Sequence, residues 1–299
     1  MNGAMIQTQL NEIVSEFNSS WINLKTSFDY LFEAAKDFSK ETRACHGTQV
    51  ITTVASQAEY NLNSDFLEVM TTDDHNHGII SYTVGTTQRW LNWESYSDLL
   101  QDNATAGSPS QYAIADAALL TRITGATNAV GTQVGGESTL ASATSLLTAA
   151  VGDYVINVTK SYYGIVLAAG ASPTTAMFDL STRGGAYAGW AMSDAFLITP
   201  APRYKLILDP PPSNTGEIVT VSYYAKPAPV YSDYGVYPFA TGYEEALIKY
   251  AAWLYKYRDS KPQLADPLYQ AYDRAMRKGK SVNRKAVGVT GFRINYTSR

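Results

Sequence analysis

Thr48-Gln49-Val50-Ile51-Thr52-Thr53-Val54 reads as a strand, and after Ala55-Ser56-Gln57 a partner segment follows with Tyr60 and Leu62. Thr48, Val50, Thr52 and Val54 fall on one face by strict alternation, so the stretch predicts a β-hairpin. Upstream the period changes. Ile6, Leu10, Ile13, Val14 and Phe17 recur at three- and four-residue spacing, as do Phe28, Leu31, Phe32, Ala35 and Phe38. Two helices are predicted, separated at Asn18-Ser19-Ser20, with Asn23 or Thr26 placed to cap the second. Downstream the pattern is mixed up to Asp116, with a turn at Gly107-Ser108-Pro109.

Composition shifts near residue 118. The 83 residues of 118–200 hold ten of the 21 glycines and only seven charges. Short β-prone runs alternate there with Gly, Asn, Ser and Thr at roughly ten-residue spacing, which predicts an inserted all-β domain, a small sandwich or barrel. Beyond it, Arg203 to Leu208 and Glu217 to Tyr224 read as strands around Asp209-Pro210-Pro211-Pro212, with Val219, Val221 and Tyr223 on one apolar face. Thr241-Gly242-Tyr243-Glu244 has the form of a capping box. The helix it opens is expected to bury Leu247, Tyr250, Ala251, Leu254 and Tyr257. A last helix is expected from Pro262 to Lys278, stopping at Gly279.

Hydrophobic residues make up 45% of the 299 and mean hydropathy is −0.18. That excludes disorder as the main state, and no apolar run approaches the roughly 18 residues of a membrane span. The first residues lack the pattern of a secretory signal, and a single cysteine excludes a disulfide framework; both fit a reducing compartment. Charge is unevenly distributed. From Arg274 to Arg299 there are eight basic residues and no acidic one, leaving 15 basic against 27 acidic residues before them. An acidic body with a basic tail points to an anionic contact, either nucleic acid or the acidic surface of a neighbouring subunit. Low charge with 22 tyrosines suits a protein that works within an assembly.

Catalytic chemistry is not legible. Asp73-Asp74-His75-Asn76-His77 has the residue types of a metal site but reads as a solvated loop. Cys45-His46 reads as packing, because adjacent side chains rarely face each other. Phosphate-loop, nucleophile-elbow and dinucleotide motifs do not occur. Trp90 and Trp93 are spaced as in a sugar-stacking platform, against which a buried stripe is the preferred reading. No enzyme, metal or cofactor is expected.

The order of several short motifs resembles tailed-bacteriophage head–tail adaptor (connector) proteins. The residues that carry it are the two starting helices, Gly47-Thr48 through Val54 to Leu62 into Asp65-Phe66-Leu67-Glu68-Val69, and Ser108-Pro109-Ser110-Gln111-Tyr112. Leu208 to Pro212, Val221 to Pro227 and the helix from Tyr243 resemble that family's closing hairpin and helix. Val151 to Asn157, Tyr163 to Val166, Gly184-Gly185, Trp190 and Ser193 to Ile198 resemble a β-module found inside several such proteins. The resemblance implies an α+β fold. Its connector-like helical-bundle core with β-hairpins would span 1–117 and 201–279, interrupted by an all-β insert at 118–200. The insert's composition predicts that it folds independently. Residues 280–299, which have no sustained period and are long for the family, are expected to form an extended basic C-terminal arm.

It also implies a structural virion protein of the neck or tail, assembled in the bacterial host cytoplasm. Twelve copies would form a ring under the portal protein of the filled head, extending the DNA channel and meeting a downstream tail or tail-tube protein. Packaged DNA would pass non-specifically, and tail fibres could dock on 118–200. In the arm, Arg284, Lys285, Arg293 and Arg299 are interspersed with Val287, Val289, Phe292, Ile294 and Tyr296, a pattern expected to add to a sheet edge or fill a groove on the portal or an adjacent copy. The alternative is a peripheral carbohydrate- or receptor-binding tail component acting through the insert with its tyrosines and Trp190.

Overall fold

The computed structural model of the protein describes residues 1–14, 23–71, 79–99, 105–116, 120–181, 185–239, 243–258 and 262–286. These hold 17 strands in three sheets and five helices, so the molecule is mostly β-sheet and the expected helical-bundle core is not what organises it. The first sheet runs β1 (His46–Thr52), β17 (Ile218–Ala225), β4 (Ile80–Val84), β5 (Thr87–Trp90), with β3 (Phe66–Val69) also on β17. The second runs β2 (Glu59–Asn61), β16 (Tyr204–Asp209), β7 (Gln111–Asp116), β6 (Asn92–Trp93). Their facing side chains, among them Tyr82, Val219, Val221 and Tyr223 from one and Tyr60, Tyr112, Leu206 and Leu208 from the other, join one buried cluster. This is sandwich packing.

Neither expected hairpin forms. β1 pairs along its whole length with β17, whereas β2 pairs with β16. The chain therefore changes sheet both between β1 and β2 and between β16 and β17, and these two crossings are bonded to each other. Thr53 N–H donates to Glu217 O at 2.8 Å, Gly216 N–H to Thr53 O at 2.9 Å, and Ser56 N–H to Pro212 O at 2.7 Å. Parity decides which face is inside. Gly47 makes room for the Tyr223 ring, where a Cβ would lie 2.5 Å from Tyr223 Cζ. Gln49 bonds the Asn61 carbonyl and the Asn63 N–H, and Ile51 is buried. Thr48, Val50 and Thr52 consequently face outward.

Four helices, α1 (Gly3–Val14), α2 (Leu24–Thr42), α4 (Glu244–Arg258) and α5 (Pro262–Ala286), form a layer against this core; a single turn, α3 (Tyr96–Leu99), sets Leu99 against Ala113 and Ile207. Asn23 caps α2 by accepting from Thr26 N–H at 2.7 Å, and Ser39 Oγ fastens α2 to the end of β17 by donating to Ala225 O at 2.8 Å. Leu247 and Ala251 of α4 are buried as expected, but Tyr250 and Leu254 are half-buried and Tyr257 is exposed. Ile248, Ala252 and Tyr255 are buried as well, because α1, α2 and α5 all pack on this helix. Thr241 and Gly242 of the capping box lie outside the described residues.

Gly279 does not stop α5. A Cβ there would lie 3.1 Å from Phe38 Cζ and 3.0 Å from Thr42 Cγ2, so the missing side chain lets α5 approach α2 closely. The helix continues through residues 280–286, which the sequence had suggested were extended.

All eight remaining strands lie within 118–200 and form one open sheet rather than a two-sheet sandwich or barrel. Its order is β8 (Ile123–Ala126), β15 (Ala195–Thr199), β11 (Tyr154–Asn157), β12 (Tyr162–Ala168), β13 (Thr174–Asp179), β10 (Glu137–Thr139), β9 (Gln133–Val134), with β14 (Ala186–Ala188) on β13. One face makes its own small core with Leu140, Leu146, Ala149 and Trp190. The other face contributes Ile165, Ala176 and Phe178 to the main core. The Phe178 ring lies 6.4 Å from Phe28, 6.1 Å from Tyr231 and 5.4 Å from Tyr187. At the junction the buried Asp153 accepts from Arg203 Nη2 at 2.8 Å through both oxygens and from the N–H groups of Ala150 and Ala201.

The insert and the body thus share a core, against the expectation of an independent fold. Phe178→Ala should therefore lower the stability of the whole chain by about 3–5 kcal/mol. Urea unfolding followed by far-UV circular dichroism and by tryptophan fluorescence should give one coincident transition. Two separated transitions would show that the insert unfolds by itself.

Candidate interaction surfaces

The α4–α5 contact is an aromatic ladder that begins in the core and ends in solvent. Tyr250, Trp253 and Tyr257 are three and four residues apart, which places them on one face of α4. Ring centroids lie 4.7 Å apart for Tyr250 and Tyr272, 5.2 Å for Tyr250 and Trp253, and 4.9 Å for Trp253 and Tyr269. Tyr272 is fully buried and donates to Asp37 Oδ2 at 2.5 Å. Tyr257, Tyr269 and the neighbouring Leu264 are exposed. Tyrosine suits such a graded position because its ring packs while its hydroxyl stays bonded.

Beyond the ladder α5 becomes basic. Residues 274–286 include Arg274, Arg277, Lys278, Lys280, Arg284 and Lys285 and no acid. Cations near a helix C-terminus are favoured by the helix dipole. Arg277 pairs with Asp273 at 2.8 Å and Lys280 with Glu41 at 2.6 Å. Gly279 sits over Thr42, the last residue of α2, so the final turns of α5 run past the end of that helix. Arg284 and Lys285, expected in an extended arm, are helical. Val287, Val289, Phe292, Arg293, Ile294, Tyr296 and Arg299 lie outside the described residues.

The tryptophans reverse their expected places. Trp90 is 61% and Trp93 59% exposed, with Tyr96 beside them, although a buried stripe was the preferred reading. They flank a corner where the chain passes from β5 in the first sheet to β6 in the second, and only Leu91 between them turns inward. The local signal was there: Gln88, Arg89 and Asn92 leave no apolar period to bury. Trp190 is only 2% exposed, and its Nε1–H donates to Thr175 Oγ1 at 3.0 Å. It offers no ring for a sugar to stack on, so of the residues named for the insert's carbohydrate reading Trp190 is out of reach, whereas the insert tyrosines Tyr154 and Tyr163 are exposed.

Cys45 is buried, and burial pushes its thiol above its ordinary value. His46 faces the other way, with its ring 5.5 Å from Tyr224. The two do not form a pair. Asp73, Asp74, His75 and His77 lie outside the described residues, and among the described residues no group of three His, Cys, Asp or Glu side chains could hold a metal. No described helix is long and apolar enough to cross a membrane.

No protein-family model matches the chain, and no curated protein matches it. Residue chemistry therefore has to carry the functional argument.

Two tests follow from these surfaces. Trp90→Ala and Trp93→Ala should each change stability by no more than about 0.5 kcal/mol, whereas Trp190→Ala should cost about 3–5 kcal/mol by denaturant titration. The second is a pH effect. Burial, and then the adjacent carboxylate, hold the phenols of Tyr187, Tyr231 and Tyr272 well above their ordinary value, while Tyr223 and Tyr250 are pushed up to about 12. In the unfolded chain these groups ionise near pH 10, so above that pH the native state binds more protons and stability falls. The urea midpoint should hold level to about pH 9 and drop steeply beyond about pH 10, less steeply in Tyr272→Phe.

Proposed function

We propose that this chain is a structural virion protein, a head–tail adaptor. Copies of it form a ring beneath the portal, extend the DNA channel and join the filled head to the tail. The observation that carries the reading is the end of α5: a helix tip of one charge sign that runs past the end of α2, on a helix whose first turns are held to α4 by the aromatic ladder. Such a tip suits insertion against a partner that is anionic at its rim. Its basic side chains would meet acidic protein surface or the phosphates of passing DNA, the latter a salt-dependent contact. The proposal gives the protein no catalytic step and no cofactor.

Truncation after Ser281 tests it, since that variant keeps the Lys280–Glu41 pair and the Gly279 contact. The truncated protein should fold with unchanged helical circular dichroism and fail to co-assemble with portal-bearing heads. Arg284→Gln with Lys285→Gln should weaken docking mainly at raised salt. Electron microscopy of labelled virions should place the protein at the neck; label confined to distal fibres would sink the reading, as would full portal occupancy by the truncated chain.

A further inference from the structure

The outer edge of β1 is long, regular and bare. β1 pairs with β17 over all seven residues without a bulge, and no other described strand bonds its far side. The cross-bonds show which groups face that side. Ala225 N–H donates to Cys45 O at 2.9 Å, and Thr53 N–H donates to Glu217 O at 2.8 Å. Cys45 and Thr53 therefore belong to bonded pairs, and by alternation so do Gly47, Gln49 and Ile51. The N–H and C=O groups of His46, Thr48, Val50 and Thr52 point the other way and meet no hydrogen-bond partner among the described residues.

Folded proteins ordinarily blunt such an edge by shortening it, or by placing a charge, a Pro or a bulge on it. This chain does so elsewhere: every other described strand with a free edge has at most four residues. β1 has seven, with no Lys, Arg, Asp, Glu or Pro, and the side chains of His46, Thr48, Val50 and Thr52 are exposed. A bare edge of this length is a template for one more strand.

The chain itself supplies a candidate. α5 runs parallel to α2, since Tyr272 bonds Asp37, Gly279 rests on Phe38 and Thr42, and Lys280 pairs with Glu41. Residues 287–299, which lie outside the described residues, follow α5 about 10 Å beyond Gly279. β1 begins at His46, four residues after Thr42, so the tail is released near the start of the bare edge. The six residues from Ala286 to Phe292 reach about 20 Å when extended. They lead into Phe292-Arg293-Ile294-Asn295-Tyr296-Thr297, which alternates apolar and polar, contains no acid and no Pro, and nearly matches β1 in length.

We infer that residues 292–297 of the same chain add to the free edge of β1, bonding the main chain of His46, Thr48, Val50 and Thr52. Main-chain bonds supply the affinity in this mode of recognition. Alternation then gives the added strand one apolar and one polar face, as the edge of a sandwich requires. The tether favours a chain's own tail over that of a second copy, because it holds the segment at a high effective concentration. The inference goes beyond the neck assignment and does not rest on it.

Amide hydrogen exchange followed by NMR tests this, comparing the full chain with a truncation after Gly291 that keeps every described residue. Thr48, Val50 and Thr52 should exchange at least about 10-fold more slowly in the full chain, whereas Gly47, Gln49 and Ile51, bonded to β17, should not change. Arg293→Pro with Ile294→Pro should behave like the truncation, since one of the two donors faces β1 in either parity. A synthetic peptide of residues 290–299 should restore protection to the truncated chain, and thermal melts check that each variant folds. Equal exchange in the full and truncated chains would overturn the inference. Protection that grows with protein concentration, with dimers in sedimentation velocity, would put a second copy on the edge and also overturn it. So would loss of protection at Gly47, Gln49 and Ile51, because the tail would then support β1 as a whole rather than cover its edge.

Discussion

Strand β17 is bonded on both edges: β1 runs the full length of one, and β4 and β3 share the other. Everything else in the body is placed by that saturation. Its inward side chains Val219, Val221 and Tyr223 are fully buried and form the centre of the sandwich. Because β17 has no free edge, β16 cannot fold back on it and must enter the opposite sheet. The bonded crossings at Thr53, Ser56, Gly216 and Glu217 are the corner this requires. At its far end β17 receives α2 through Ser39, so the helical layer is also registered on this strand.

Strands and helices were legible in the sequence where their signals are local. The Asn23 cap, the apolar face of Val219, Val221 and Tyr223, and the β character of 118–200 needed only period, capping chemistry and turn residues. Pairing was not legible, because partners such as Thr48 and Ser222 are far apart in the chain and no short-range rule joins them. Parity at β1 was equally hidden. Thr48, Val50 and Thr52 look like the core side of a strand, and only the Tyr223 ring, remote in sequence, explains why Gly47 and Ile51 take that side. Gly279 misled in another way: glycine is the common residue after a helix, but it also serves where two helices touch.

The insert illustrates how a small sheet is stabilised from two directions. Leu140, Leu146 and Trp190 cover one face from within the insert, while half of the other borrows cover from α2 and the segment around Tyr231. The Asp153–Arg203 pair clamps the point where the chain returns to the body. With its charge matched and its oxygens taking four hydrogen bonds from three donor groups, Asp153 is a buried ion whose loss would be felt on both sides of the junction. The candidate surfaces at the Trp90 corner and the tip of α5 were harder to foresee, because exposure of an aromatic residue depends on which sheet edges and helix ends the fold leaves open.

The contact at Gly279 also has a mechanical side. Seven residues separate it from Ala286, about 10 Å of helix at 1.5 Å per residue. With α4 holding the body of α5 and Gly279 resting on Phe38 and Thr42, the helix behaves as a beam with a fulcrum near its tip. The bearing distance of α5 on α2 fixes the angle at which the basic end leaves the molecule. A single methyl at this point would act as a shim, raising the beam and swinging its tip while disturbing little of the core. The aim of the charged end is therefore set by an atom that is absent.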